Sequence, residues 1–208
     1  MRYRTPAITT DHCHMAELEV QKSRFIGWCA AAETPDDARR LLELARCHHP
    51  DASHHCLAFI AGPPGEQQAI GFADDGEPGG TAGRPMYQVL EGSGLGRIAC
   101  VVIRYFGGIK LGTGGLARAY SRTVAHTLTD LPTRLQVPRR ELRVEVDFAD
   151  EHRLRGWLGE REGDIVQADY GADGVTLVVA WPEDGDDDFS ALASHLGGRL
   201  VLHDPAAT

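Results

Sequence analysis

Apolar positions change period several times along the chain, and each change marks an element. Leu18 to Val20 and Phe25 to Ala32 are apolar runs on either side of Gln21-Lys22-Ser23-Arg24, which predicts two strands and a short polar turn. Ala38, Leu41, Leu42 and Ala45 then fall at i, i+3, i+4 and i+7, the buried stripe of a helix whose wet side carries Arg39, Arg40 and Glu43. Its start is written in Thr34-Pro35-Asp36-Asp37. Thr34 caps, Pro35 suits the first helical position, and Asp37 completes a capping box. Pro50 marks the exit. Cys56 to Ile60 and Gln68 to Ala73 read as strands around the turn Gly62-Pro63-Pro64-Gly65. Met86, Val89 and Leu90 predict a helix beginning near Ala82. After a tight connection from Gly92 to Gly96, Ile98 to Ile103 is a buried strand. Leu116, Tyr120, Val124 and Leu128 then form the seam of another helix, with Thr123 and Thr127 beside it.

Beyond Pro138 the pattern restarts. Leu142, Val144, Val146 and Phe148 alternate with Arg143, Glu145 and Asp147, a half-buried strand. Asp150 is placed to cap a helix carrying Leu154, Trp157 and Leu158, stopped by Gly163. Ile165 to Tyr170 and the strand bearing Val175, Leu177, Val179 and Trp181 flank a hairpin turn at Gly171-Ala172-Asp173-Gly174. Asp186 to Asp188 open a helix with Phe189, Leu192 and Leu196, ended by Gly197-Gly198, and Arg199 to Leu202 is a last strand. The order βαββαβ is the ferredoxin-like motif. About seventy residues make a small core, so packing against the first half is expected.

Charge supports the same division. The net charge is −9, yet Met1 to Leu135 holds 14 cationic and 14 anionic residues, and Gln136 to Thr208 holds 7 and 16. With the prolines of Pro132 to Pro138, this step predicts domains at residues 1–135 and 136–208. The acidic total therefore does not exclude nucleic acid, because a neutral domain with a local basic face can hold phosphate. At 42% hydrophobic and 25% charged residues the composition is that of a globular protein. No apolar run is long enough to span a bilayer, and Met1 to Met15 lacks the apolar core of a signal peptide. Five scattered cysteines, none in a CxxC, read as reduced thiols in a cytoplasmic protein.

Candidate chemistry concentrates in Arg104 to Arg122, RYFGGIKLGTGGLARAYSR. Arg104, Lys110, Arg118 and Arg122 stand there without an Asp or Glu. Gly107, Gly108, Gly112, Gly114 and Gly115 permit positive φ or close backbone approach, and their N–H groups at a helix start suit an anion. Thr113 is the expected N-cap. Tyr105 or Phe106 is expected to stack on a base, and only one of them can point outward. Upstream, Asp74, Asp75 and Glu77 crowd before Pro78-Gly79-Gly80, with two readings: a metal or acid–base cluster, or a cap for the next helix. His48, His49, His54 and His55 bracket a turn beside Cys47 and Cys56 without any usual zinc spacing, and His12-Cys13-His14 lies in an N-terminus expected to be mobile. No metal or cofactor is expected.

Four blocks in this half resemble the bacterial branch of the IMPACT family. They are Lys22-Ser23-Arg24-Phe25-Ile26, Pro50-Asp51-Ala52-Ser53-His54 with Cys56, Asp74-Asp75-Gly76-Glu77-Pro78 with Gly80-Thr81-Ala82-Gly83, and Arg104 through Leu116. The likeness runs from about Glu17 to Leu128. Gly79 replaces a usual serine, which removes any hydroxyl chemistry there. Arg84 stands where lysine is commoner and keeps the charge. The resemblance implies an α+β protein: a left-handed βαβ domain like domain IV of elongation factor G, then a ferredoxin-like domain like its domain V. It implies a link to translation, since eukaryotic relatives restrain a starvation-responsive translation kinase by competing for its activator.

The expected function is therefore non-enzymatic: binding of RNA, the ribosome or a translation-factor surface. Arg84, Arg104, Lys110, Gly112, Thr113, Gly114, Gly115, Arg118 and Arg122 are the candidate anion contacts. The alternative is a metal-dependent enzyme acting on a phosphorylated small molecule, with His54 as acid or base and Asp74, Asp75 and Glu77 around the metal. Whether the acidic and basic loops share one cleft is a question of tertiary structure.

Overall fold

The structure is a computed structural model that describes residues 1–66, 69–186, 188–196 and 200–203. It divides into two compact units, Tyr3–Gln136 and Val137–Thr208 with Met1–Arg2.

The first unit holds β1 (Tyr3–Pro6), β2 (His14–Val20), β3 (Ser23–Ala31), α1 (Pro35–His48), β4 (His54–Ile60), β5 (Ile70–Ala73), α2 (Gly83–Gly92), β6 (Ile98–Tyr105), α3 (Gly112–Thr129) and β7 (Thr133–Gln136). Five strands make one sheet in the order β2-β3-β6-β4-β5, every neighbouring pair antiparallel. Alternation along β3 and β6 divides their side chains between two cores. Phe25, Cys29, Ile98, Cys100 and Val102 meet Met86 and Leu90 of α2 and Leu116, Tyr120 and Val124 of α3. Ile26, Trp28, Ala30, Val101 and Ile103 meet Ala38, Leu41 and Ala45 of α1 on the opposite face. Both sheet faces are thus covered, which is why β6 reads as an unbroken apolar run.

The handedness follows from this layout. The crossovers β3-α1-β4 and β5-α2-β6 each join strands running the same way with one antiparallel strand between them. They cross the sheet in opposite directions, along oppositely running strands, with helices on opposite faces. Two such crossovers have opposite hand, so one is left-handed. That is the rare sense for a βαβ connection, and it accords with the expected fold.

Several local expectations hold. Thr34 Oγ1 accepts from the Asp37 amide at 3.2 Å while the Asp37 carboxylate accepts from the Thr34 amide at 2.9 Å, a complete capping box. Others are corrected. The N-terminus is not loose: β1 pairs with β7, Tyr3 and Thr5 are buried, and the Ala31 amide donates to the Ile8 carbonyl. The Pro132–Pro138 segment accordingly contains a strand rather than an open linker. Thr113 does not cap α3, which starts two residues earlier than that cap would set, with Leu111 at the cap position and no side-chain cap. Of the strand expected at Gln68, the part from Ile70 is found, and Gln68 lies outside the described residues.

The second unit contains β8 (Arg139–Val146), α4 (Glu151–Glu160), β9 (Asp164–Tyr170), β10 (Val175–Pro182), α5 (Ser190–His195) and β11 (Leu200–His203). Its antiparallel sheet runs β11-β8-β10-β9, the ferredoxin-like order. Leu142, Val144, Val146, Val175, Leu177, Val179 and Trp181 pack against Leu154 and Leu158 of α4 and Phe189, Leu192 and Leu196. Phe148 departs from the predicted alternation because β8 ends at Val146, and its ring is half-exposed in a short 3-10 turn. Asp150 makes no side-chain cap bond, although its carboxylate accepts from Arg153. The α5 start is later than expected: Asp188 Oδ1 accepts from the Ser190 amide at 2.9 Å. Asp187 and the Gly197-Gly198-Arg199 terminus lie outside the described residues.

Candidate functional site

The acidic loop is built to start α2. Asp74 Oδ1 accepts from the amides of Ala82 (3.0 Å) and Gly83 (2.8 Å), and Oδ2 accepts from Gly80 (2.7 Å). Burial opposes ionisation of Asp74, but the three amides together outweigh it and hold its carboxyl below the ordinary range. Gly83 is required here, since a Cβ would lie 2.7 Å from the backbone nitrogen of Ala73. Asp75 faces elsewhere. It pairs with Arg46 at 2.8 Å, accepts from the His55 amide at 2.7 Å, and its carbonyl bonds His54 Nδ1. Burial pulls the His55 imidazole below the ordinary range, against the opposing pull of its bond to the His49 carbonyl and of the nearby Asp75 charge.

Glu77 points inward. It is buried, and its Oε1 accepts from Arg104 Nη1 (2.6 Å) and the Tyr120 hydroxyl (2.7 Å). Burial pushes the Tyr120 phenol upward, with Cys56 and Glu77 adding to the shift, so it remains a donor. Cys56 donates to the Asp74 carbonyl at 3.0 Å, and burial pushes its thiol up to about 12. His54 Nε2 lies 3.9 Å from Glu77. The candidate acid–base and metal residues thus have separate duties, and among the described residues no three His, Cys, Asp or Glu side chains converge as a metal site would require.

The basic stretch divides as well. Arg104 is a correction to the expected surface: only 5% exposed, it is an internal cation balanced by Glu77. Phe106 is the outward aromatic, half-exposed, whereas Tyr105 is partly buried with its hydroxyl 2.9 Å from His49 Nδ1. Gly107 lets the loop close on the β2–β3 turn, because a Cβ there would fall 1.9 Å from the Lys22 carbonyl oxygen. The Gly107 amide donates to Ser23 Oγ at 3.2 Å, and Ser23 Oγ lies 3.4 Å from Arg104 Nη2. Gly112, at φ +69°, turns the chain into α3, whose first amides have no side-chain cap.

Two hollows open on this end of the unit. One of about 370 Å³ is lined by Glu77 and Pro78 of the acidic loop and by Arg104, Phe106, Lys110, Leu111, Gly112, Thr113 and Leu116. The acidic and basic loops therefore share a cleft, through Glu77 rather than Asp74. A second, of about 160 Å³, is bordered by Val20, Gln21, Leu111, Gly115, Arg118, Ala119 and Arg122, and Leu111 is common to both. Lys110, Arg118 and Arg122 are exposed, as is Lys22 on the adjoining turn, and none has a carboxylate partner among the described residues. Gly114 is exposed at the same helix start but lines neither hollow, and Arg84 stands exposed on α2, also outside both. Sequence reasoning missed Lys22, Ser23 and Gln21, whose one signal was the Lys22-Ser23-Arg24 block.

A larger hollow of about 640 Å³ lies in the second unit, between His152, Arg153, Gly156, Trp157, Glu160, Arg161, Leu192 and Leu196. Its arginines are already engaged. Arg153 meets Asp150, and Arg161 meets Glu160 with its guanidinium 4.3 Å above the Trp157 ring. The smaller cleft is the stronger candidate because its Lys110 and helix amides are uncommitted.

Fold and site together define a two-unit α+β protein whose first unit presents an open, cationic helix start beside a buried ion pair. Residues 21–128 match the Impact N-terminal domain, and residues 144–196 match a domain of unknown function, DUF1949. The chain belongs to the IMPACT family. It is 44% identical over 185 residues to IMPACT family member YigZ of Escherichia coli, covering 88% of this chain and 90% of that protein. It is 38% identical over 187 residues to an IMPACT family member of Haemophilus influenzae, covering 89% and 90%. A solved structure described as a hypothetical protein matches with a TM-score of 0.70 at 41% identity, covering 98% of this chain and 97% of that one.

Proposed function

We propose that this protein is a non-enzymatic, translation-linked regulator whose first unit holds RNA by its phosphates. One observation carries the reading: Lys110 just before the uncapped start of α3, Arg118 and Arg122 along its first three turns, and Lys22 on the adjoining β2–β3 turn are exposed without a carboxylate partner among the described residues. Cations left unpaired beside open helix amides suit a phosphate backbone. Phe106, half-exposed next to Lys110, offers a stacking surface for an unpaired base. Arg84 is a peripheral contact, and Arg104 acts from below by holding the loop. The translation link rests on family membership. Binding is favoured over the enzyme alternative because Asp74, Asp75 and Glu77 are tied to three different sets of protein groups. No helix of the described residues is long and apolar enough to cross a membrane.

The test is a titration of the full chain with single-stranded and structured RNA at several salt concentrations. Each phosphate contact contributes roughly one unit to the log–log salt slope on a duplex and somewhat less on a single strand. Lys110→Ala and Arg118→Ala are expected to weaken binding across sequences and flatten that slope. Arg39→Ala and Arg40→Ala, whose side chains pair with Asp36 and Asp11 on α1 and near β2, are the controls. Failure of wild type to bind either RNA at low salt, or equal effects from the control arginines, sinks the reading. RNase-resistant co-purification with a protein would move the face to a protein partner.

A further inference from the structure

We infer that the cleft between the acidic loop and the α3 start is a binding site for a small organic anion: a phosphate monoester or carboxylate on an apolar, ring-sized body. The inference does not depend on RNA binding. Its first basis is shape. At about 370 Å³ the cleft falls in the lower range of small-molecule sites. Its walls are mostly apolar, from Pro78, Phe106, Leu111 and Leu116, with a few polar groups from Glu77, Arg104, Lys110 and Thr113. That is the arrangement of a pocket that orients an amphiphilic ligand by its head group.

The second basis is charge. Glu77 balances Arg104 at 2.6 Å. Lys110 and the positive end of an 18-residue helix remain uncompensated on the same cavity. Gly112 and Thr113 line it, so the start of the uncapped first turn forms part of its wall.

The third basis is independent of the helix. Arg104 lines the cavity while being 5% exposed, and its Nε is buried with no hydrogen-bond partner among the described residues. A buried, unsatisfied guanidinium donor is costly and uncommon. That Nε has no accessible surface, so a ligand in the cleft meets the charge of the Arg104 guanidinium on the wall rather than this one donor. The Glu77 carboxylate, itself held by the Tyr120 hydroxyl, fixes the guanidinium in place, so little ordering is needed when the ligand arrives.

The experiment titrates the full chain with phenyl phosphate, benzoate, inorganic phosphate and benzyl alcohol, followed by calorimetry and by amide chemical shifts of Gly112 to Gly115. Phenyl phosphate or benzoate is expected to bind saturably and shift those amides, and the better of the two identifies the head group. Inorganic phosphate, without the ring, should bind more weakly, and neutral benzyl alcohol should not bind. Lys110→Ala and Phe106→Ala, both exposed positions, are expected to weaken the anion about tenfold each, and Arg39→Ala, whose side chain pairs with Asp36 on α1, should leave it unchanged. The inference is overturned if neither organic anion binds at up to ~10 mM, if benzyl alcohol binds equally well, or if Arg39→Ala matters as much as Lys110→Ala. Because no RNA is present, a failure here is separate from a failure of the RNA titration.

Discussion

Helices α2 and α3 both begin after glycine-rich loops in the same unit, and their first turns are completed in opposite ways. The α2 start receives Asp74, whose two oxygens take three amides from Gly80, Ala82 and Gly83. The α3 start has no side-chain cap among the described residues, and its first turn contains no acid. Each helix end carries the same partial positive charge and the same unpaired donors. In α2 the chain supplies the anion. In α3 the donors are left open beside Lys110, so the anion comes from outside. The difference teaches that an uncapped helix start is informative when a neighbouring helix shows what a closed one looks like.

The largest effect is expected at the ion pair beneath both loops. Glu77→Ala leaves Arg104 buried without its counter-charge and should destabilise the first unit by about 3–5 kcal/mol in denaturant unfolding. Glu77→Leu with Arg104→Leu should recover much of that loss, since apolar replacement of a buried pair is often close to neutral. If the single variant unfolds at the wild-type midpoint, the pair does not organise the site.

Next comes the closed cap. Asp74→Ala should cost about 1–2 kcal/mol. Asp74 also has a pH signature. Its folded pKa is depressed, so its contribution is fully present above the unfolded value, about 3.9, and is lost as pH falls through the lower folded value. Acid unfolding should therefore lose part of its pH dependence in Asp74→Ala. Retention of the full wild-type dependence would show that the cap carries no linked proton.

The smallest stability effect is the most diagnostic. Thr113→Glu puts an anion into the first turn of α3 and should stabilise the unit slightly, by about 0.3–1 kcal/mol. The same variant should lose RNA affinity, because the built-in carboxylate competes for the helix end. Unchanged RNA binding in a stabilised Thr113→Glu protein would place the RNA contact elsewhere.

How much was legible depended on the distance between cause and effect along the chain. The α1 capping box was readable because Thr34 and Asp37 are three residues apart and bond each other. Val175, Leu177, Val179 and Trp181 were readable because strand geometry alone puts them on one face, and all four are buried. Asp74 was readable as a cap, though the acid cluster left its role open beside a metal reading. Thr113 failed because the helix starts two residues sooner, at a positive-φ glycine, 112, placing the threonine inside the first turn. Arg104 failed for a longer-range reason. Counted along Arg104 to Arg122 it is one of four cations, but its partner Glu77 is 27 residues away.

By itself, then, the sequence determined the periods of the elements, the sign of the charge along the α3 loop and the family to which the chain belongs. Those properties depend on residue identity and on spacings of a few positions, which helix and strand geometry translate directly into faces. Only the tertiary structure decided which charges are free. Sheet pairing in the order β2-β3-β6-β4-β5 brings Glu77, Arg104 and Tyr120 together and leaves Lys110, Arg118 and Arg122 outside. An ion pair forms between whichever groups the fold makes neighbours, and no local pattern encodes that choice.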